Sequence, residues 1–274
     1  MKIVYIKEQE KKLNLKQKIK SFFNVIEIEY IDEKVILTLP INENLLDKKA
    51  EKISKKLNKM LYIDSIQNVV LSKNLMQNQV LKNKLYEKNI NILDGRKLFA
   101  LLSYQIIERT SEYSNMNLEE MEISILVNDN SETNTYNITE IAKNVKRLNI
   151  ITNHIEKFQK LQDYLYNELG IMIKISNNKK KDLLMSKIVL NVDFPQELIN
   201  GYKLPTKCII VNLNNEINIK KKQFNGININ WYNIIMKDKY KIEKFNDEIV
   251  YESKIYGKPL KNQKDIIKQD KIRN

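Results

Sequence analysis

The stretch MEISILVNDNSETNTYNITEIAKNVKRLNIITNHIEKFQKLQDYLYNELGIMIKISNNKKKDLLMSKIVLNVDFP, residues 121–195, decides the fold. Four short apolar runs punctuate it: Ile123-Ser124-Ile125-Leu126-Val127, Asn149-Ile150-Ile151-Thr152, Ile171-Met172-Ile173-Lys174-Ile175 and Ile188-Val189-Leu190-Asn191-Val192. Segments of helical length near 137–147 and 154–169 separate the first three, and a short helix is expected near 180–186. A fifth run follows at Cys208-Ile209-Ile210-Val211-Asn212. Apolar strands alternating with helices predict a parallel sheet covered on both faces, because parallel strands need crossovers and the crossovers are helices. Gly170 suits the position after the 154–169 helix, where the backbone turns left-handed.

Working outward, residues 1–95 read as a separate α/β domain. A strand at 2–7 precedes a basic amphipathic helix near 9–24. Residues 25–40 form a hairpin with Asp32-Glu33-Lys34 as its turn and Pro40 at its close. A helix over 42–61, capped by Asn42 or Asn44, sets Leu46, Ala50, Ile53, Leu57 and Met60 or Leu61 on one face. Its lysines cover the rest as a solvated surface. Strands at Val69-Val70-Leu71 and Ile90-Leu93 flank a helix near 74–88, and Asp94-Gly95 turns into a long helix over 96–113. The resulting organisation is an N-terminal α/β domain (1–95), a connecting helix and linker (96–118), a Rossmann-like domain with a mostly parallel sheet (119–232), and a C-terminal helix and polar tail (233–274). In the last part, Ile217-Asn218-Ile219 and Ile227-Asn228-Ile229 read as edge strands or a hairpin around Gly226. A helix near 246–256 packs back on the first domain, and 260–274 reads as a mobile tail.

Composition narrows the function classes. Hydrophobic residues at 42% of 274 make a globular chain. No run approaches the roughly 18 apolar residues of a spanning helix, and the N-terminus lacks a signal-peptide pattern. A cytoplasmic protein with no membrane partner is expected. Cys208 is the only cysteine, so an internal disulfide and a cysteine-based zinc site are excluded; it reads as a small core residue. The net charge of +13 invites nucleic acid. Yet the charge is mostly scattered Lys, and Arg stands only at 96, 109, 147 and 273, so compositional bias explains it equally well and nucleic acid is not favoured. A protein partner or a homo-oligomer remains open.

Two short motifs carry a family resemblance. Ile150-Ile151-Thr152-Asn153-His154-Ile155-Glu156-Lys157 resembles the second strand and turn of the cofactor domain in the shikimate dehydrogenase and glutamyl-tRNA reductase type. Lys187-Ile188-Val189-Leu190-Asn191-Val192 resembles the strand that ends beside the nicotinamide in the same domains. The resemblance implies a Rossmann-like fold, with Asn153 and His154 at the adenosine ribose or its 2′-phosphate and Asn191 near the reactive end of NAD(P). His154 stands where that family has Arg. The glycine-rich phosphate loop is absent: the segment after the first strand is Val127-Asn128-Asp129-Asn130-Ser131-Glu132, and the chain's five glycines (95, 170, 201, 226, 257) form no G-x-G-x-x-G anywhere. Asp129 and Glu132 would repel phosphates there.

The candidate site follows from topology. Open α/β sheets bind ligands beyond the carboxyl ends of their strands. Asn128, Asp129, Asn153, His154, Asn191 and Asp193 all fall at that edge, with Asp193 read alternatively as a turn residue or cap before Pro195. His154 is the only histidine, and no G-x-S-x-G elbow or G-x-x-x-x-G-K-[ST] loop occurs. No catalytic residue and no metal site is assigned. Trp231 and Tyr232 could stack on a base, or staple the segment to the core. Three functions stay open: a degenerate, non-catalytic relative of the dehydrogenases that binds a small ligand or a partner; an NAD(P)-dependent oxidoreductase with an atypical phosphate loop; and a basic nucleic-acid-binding protein.

Overall fold

A computed structural model of the chain describes residues 2–9, 15–31, 34–41, 47–219, 224–232, 234 and 241–269. The chain divides into two compact units, 1–95 with 234–274, and 96–233. Within the first, β1 (Ile3–Glu8), β2 (Glu27–Ile31), β3 (Lys34–Leu39), β4 (Asn68–Leu71) and β5 (Asn91–Leu93) form a sheet in the order β2-β3-β1-β4-β5. Only β2 is antiparallel, as its hairpin with β3 requires. Asp32, Glu33, Asn42 and Asn44, the predicted turn and caps, lie outside the described residues.

Period-two alternation decides which side chains meet. Val4, Ile6, Leu37 and Val69 point to one face, where Ile53, Leu57 and Leu61 of α2 (Asp47–Ile63) and Leu81 and Leu85 of α4 (Gln79–Tyr86) cover them. The helical spacing of Ile53, Leu57 and Leu61 thus works as the sequence predicts. The short α3 (Lys73–Met76) starts on Ser72, whose hydroxyl caps it while donating to the buried Glu8 carboxylate. In contrast, α1 (Leu15–Phe22) leaves Leu15, Ile19 and Phe22 exposed on one stripe.

In the second unit the predicted helix over 96–113 is two helices, α5 (Arg96–Leu101) and α6 (Ser103–Tyr113). The helix breaks at Leu102, where φ is −95° and ψ is 14°. Both helices belong to this unit: they pack on α7 (Glu132–Ala142), and Ala100 accepts a hydrogen bond from Asn137. The sheet then follows the predicted rhythm: β6 (Glu122–Leu126), β7 (Arg147–Ile151), α8 (Ile155–Leu169), β8 (Ile173–Ser176), β9 (Ile188–Asn191), α9 (Gln196–Ile199), β10 (Ile209–Asn212) and β11 (Ile227–Ile229). All six strands are parallel, in the order β11-β10-β9-β6-β7-β8. Every residue of β9 and β10 is buried, which explains their unbroken apolar runs.

Three local expectations are corrected. Residues 179–185 are turns instead of a helix: Asp182 accepts from the backbone N–H of Asn178 and from Lys174, and this local bonding competes with a helical ladder. Residues 217–219 are not a strand; the Ile217 backbone is held by the Asn228 and Asn230 side chains, and the Asn218 N–H donates to Gln196. Residues 260–269 are no mobile tail but helix α11 (Leu260–Gln269), which follows α10 (Asp247–Ile255) and buries Leu260 and Gln263. Through Ile249 and Val250, with Phe245 just before it, α10 covers the second face of the first sheet against Tyr5, Ile36, Val70 and Leu93.

Two glycines are required for different reasons. Gly170 ends α8 at φ +66°, with open space where a Cβ would stand. At Gly226 a Cβ would lie 2.0 Å from the Cys208 carbonyl oxygen, where β11 joins β10. Gly170→Ala should therefore cost about 1 kcal/mol from backbone strain alone, whereas Gly226→Ala should cost about 3 kcal/mol or prevent folding. Urea unfolding of both variants checks the ranking, and equal losses would contradict it.

Candidate functional site

The order of the second sheet reads 3-2-1-4-5-6 when its strands are numbered from β6, so the chain reverses direction between β6 and β9. The loops after these two strands flank the crevice where such sheets take ligands. Here the crevice is spanned by a side chain of the protein itself. Asp193, two residues past β9, turns its carboxylate onto the loop after β6. The backbone N–H of Asn128 donates to Oδ1 at 2.8 Å and Oδ2 at 3.0 Å, and that of Asp129 donates to Oδ2 at 2.8 Å. Consecutive N–H groups pointing at one spot form an anion receptor, and the Asp193 carboxylate is its anion.

The loop after β6 is fixed by further bonds. The Asn128 side-chain oxygen accepts from the backbone N–H of Asn153 at 2.9 Å and from the Thr152 hydroxyl at 3.4 Å, tying the loops after β6 and β7. Thr152 in turn accepts from the His154 backbone N–H. Ser131 caps α7, and Asn134 donates from its side chain to the Asp129 carbonyl. Glu132 occupies the first turn of α7, where the helix favours negative charge. Asn130, Ser131 and Asn134 carry loop structure that sequence reading did not single out; their caps and Asx bonds are local, so the Ser and Asn clustering was the available signal.

The six predicted residues separate into two groups. Asn128, Asp129, Asn153 and Asp193 meet at the crevice, Asn153 through its backbone. His154 stands beside them at the start of α8, half exposed, with Nδ1 3.8 Å from Glu156 Oε1. Asn191 is 1% exposed and committed elsewhere. It accepts from the Phe194 N–H, donates to the Phe194 carbonyl, and donates to Asn212. Asn212 donates onward to Asn228 and Asn230, forming a ladder across the ends of β9, β10 and β11 that sequence reading missed. Trp231, 37% exposed, meets Phe99 edge-on at 4.5 Å, with the Arg96 guanidinium 4.8 Å from its ring. Tyr232 bonds Thr110. Burial pushes the Cys208 thiol up to about 12, which makes it inert. Among the described residues no group of three or more His, Cys, Asp or Glu could hold a metal ion, and no helix is long and apolar enough to cross a membrane.

An all-parallel six-stranded sheet in this order, with its crevice between the first and fourth strands, defines a Rossmann-like, doubly wound α/β domain. No family model matches the sequence, and no curated protein is found similar to it. Among solved structures, a dipicolinate synthase chain from Bacillus halodurans aligns with a TM-score of 0.45 and 9% identity, over 94% of this chain and 98% of that one. Shikimate dehydrogenase in complex with NADP+ aligns with a TM-score of 0.38 and 12% identity, over 100% of this chain and 96% of that one. L-tryptophan dehydrogenase from Nostoc punctiforme gives 0.35 and 10%, over 80% of this chain, which spans 65% of that enzyme. These are likenesses of general architecture; the strand order carries the class.

Asp193 offers a sign test. Burial raises its carboxyl above the usual range, against the opposing pull of the Asp129 and Asn128 N–H groups; the Asp129 charge raises it further and His154 lowers it. The folded chain therefore holds this proton more tightly than the unfolded chain. The stabilising contribution is fully present below the unfolded value of about 3.9 and declines as pH rises through the raised folded value. Relative to wild type, Asp193→Asn should gain stability as pH rises across that interval. Thermal unfolding of both proteins from about pH 3.5 to 6.5 reads it; a gap that moves the other way refutes the assignment.

Proposed function

We propose that the 96–233 unit is a degenerate Rossmann-like scaffold, without hydride transfer, that binds a small ligand or a protein partner at the carboxyl edge of its sheet. The bond pattern of Asp193 carries this reading. A dinucleotide needs the N–H groups of the first loop for its pyrophosphate, and here the Asn128 and Asp129 N–H groups already hold a carboxylate. A phosphate brought within about 4 Å of that carboxylate meets on the order of 4 kcal/mol of repulsion at an effective dielectric of 20. The helix N-terminus returns only about 0.3–2 kcal/mol, and Asp129 and Glu132 add to the repulsion. Repulsion therefore wins. A neutral or cationic group, or a donor-rich protein surface, meets no such barrier at Asp129, Asn153 and His154.

The test is thermal unfolding with NAD+, NADH, NADP+ and NADPH at physiological salt. A cofactor at one hundred times its dissociation constant would add about 2.7 kcal/mol, an upward shift on the order of 5 °C. The expected result is no shift with any of the four. A shift with one of them, abolished by Asn153→Asp, would overturn the reading in favour of an NAD(P)-dependent oxidoreductase whose Asp193 withdraws on binding.

A further inference from the structure

The first unit holds a cavity of about 670 Å³ at the amino-terminal edge of its sheet, between the ends of α2 and α4. That volume falls within the range of small-molecule sites. Its floor is apolar and built from buried side chains, Leu61, Ile66 and Ile90. Its rim is cationic: Lys55, Lys59, Lys84 and Lys88 line it against one carboxylate, Glu87. Lys55 pairs with Glu51 and Lys84 with Glu87, while no carboxylate among the described residues pairs with Lys59 or Lys88. The Tyr62 ring stands 84% exposed at the edge. One polar atom in the wall is unsatisfied: Asn58 donates to the Lys84 carbonyl, but its Oδ1 is buried without a partner.

Lysines at a helix C-terminus ordinarily answer the negative end of the helix, and bare carbonyls there would select a cation. The carbonyls here are already bonded. Asp64, Ile66 and Ser65 donate to Met60, Leu61 and Tyr62 at the end of α2, with Ser65 left-handed at φ 53°. Ile90 and Asn89 donate to Leu85 and Tyr86 at the end of α4, with Asn89 at φ 56°. A cation entering the cavity would find the helix-end carbonyls filled, Glu87 already paired with Lys84, and four ammonium groups. An anion would find Lys59 and Lys88.

We propose that this cavity binds an aromatic anion: a planar ring over Leu61, Ile66 and Ile90 beside Tyr62, a carboxylate or phosphate on Lys59 and Lys88, and one N–H or O–H given to Asn58 Oδ1. The site is separate from the crevice of the second unit. A buried acceptor left without a partner destabilises the empty site, so a ligand that supplies the missing donor is selected over an isostere that does not. Phenyl phosphate and indole-3-acetate represent the two anion chemistries, and indole-3-acetate also carries the N–H.

The probe is 1-anilinonaphthalene-8-sulfonate, an aromatic anion with one N–H, titrated by fluorescence onto the full chain. Saturable binding is expected that weakens with salt and is displaced by millimolar phenyl phosphate or indole-3-acetate, whichever matches the anion. Lys59→Glu with Lys88→Glu should weaken binding at least tenfold with unchanged circular dichroism, since both are surface residues. Asn58→Leu should weaken indole-3-acetate more than phenyl phosphate. The exposed stripe of α1 is the competing surface for this dye, so Phe22→Ser with Phe23→Ser should leave the affinity unchanged. Loss of signal in that variant, equal affinity in the lysine variant, or displacement by neither compound overturns the proposal. The lysine variant also separates the two sites: a nicotinamide-cofactor shift that survives it belongs to the second unit.

Discussion

A carboxylate held by two consecutive backbone N–H groups organises the carboxyl edge of the second sheet. Asp193 reaches from the end of β9 to the loop after β6 and so joins the two central strands beyond their ladder. Asn128, positioned by that contact, passes the connection to the loop after β7 through its own side chain. Three successive strand ends are thereby locked by one carboxyl group and one amide. Charge-assisted bonds to N–H donors are the stronger class, and those donors sit where a Rossmann domain ordinarily presents free ones to its ligand. Here those donors hold a carboxylate of the same chain.

The other half of the edge is closed by neutral chemistry. Asn191, Asn212, Asn228 and Asn230 pass hydrogen bonds from β9 to β11, and the last two also satisfy the backbone of Ile217. Asparagine suits this because it both donates and accepts, so a chain of them leaves no buried atom idle. Together the carboxylate clamp and the amide ladder make an edge that satisfies itself. The loop after β6 carries Asn, Asp and Ser in place of glycine, and its Asn128 and Asp129 N–H groups are taken by the Asp193 carboxylate.

Much of this was legible in the sequence, and what was missed has physical reasons. The strands of the second unit were readable because burial on both faces forces unbroken apolar runs, as in Ile188-Val189-Leu190 and Ile209-Ile210-Val211. Their convergence placed Asn128, Asp129, Asn153 and Asp193 at one edge. The bonds among them were not legible, because the donors are backbone N–H groups and every residue has one. The break at Leu102 has no Gly or Pro to announce it. Helix α11 looked like a tail because residues 260–269 are mostly polar and Lys-rich, with Leu260 and the polar Gln263 as its buried contacts among the described side chains. Asp182 ended the predicted 180–186 helix through local bonding that composition does not reveal.

The clamp has an asymmetry that bears on which substitutions the chain can tolerate over time. A carboxylate must supply the acceptors, so position 193 is restricted in chemistry and length. Position 129 contributes its N–H and carbonyl, which any residue but proline retains, and its side chain adds only a long contact of 3.5 Å to Asn134. The fold by itself therefore restricts the side chain at 193 and leaves the one at 129 to be set by whatever the crevice meets.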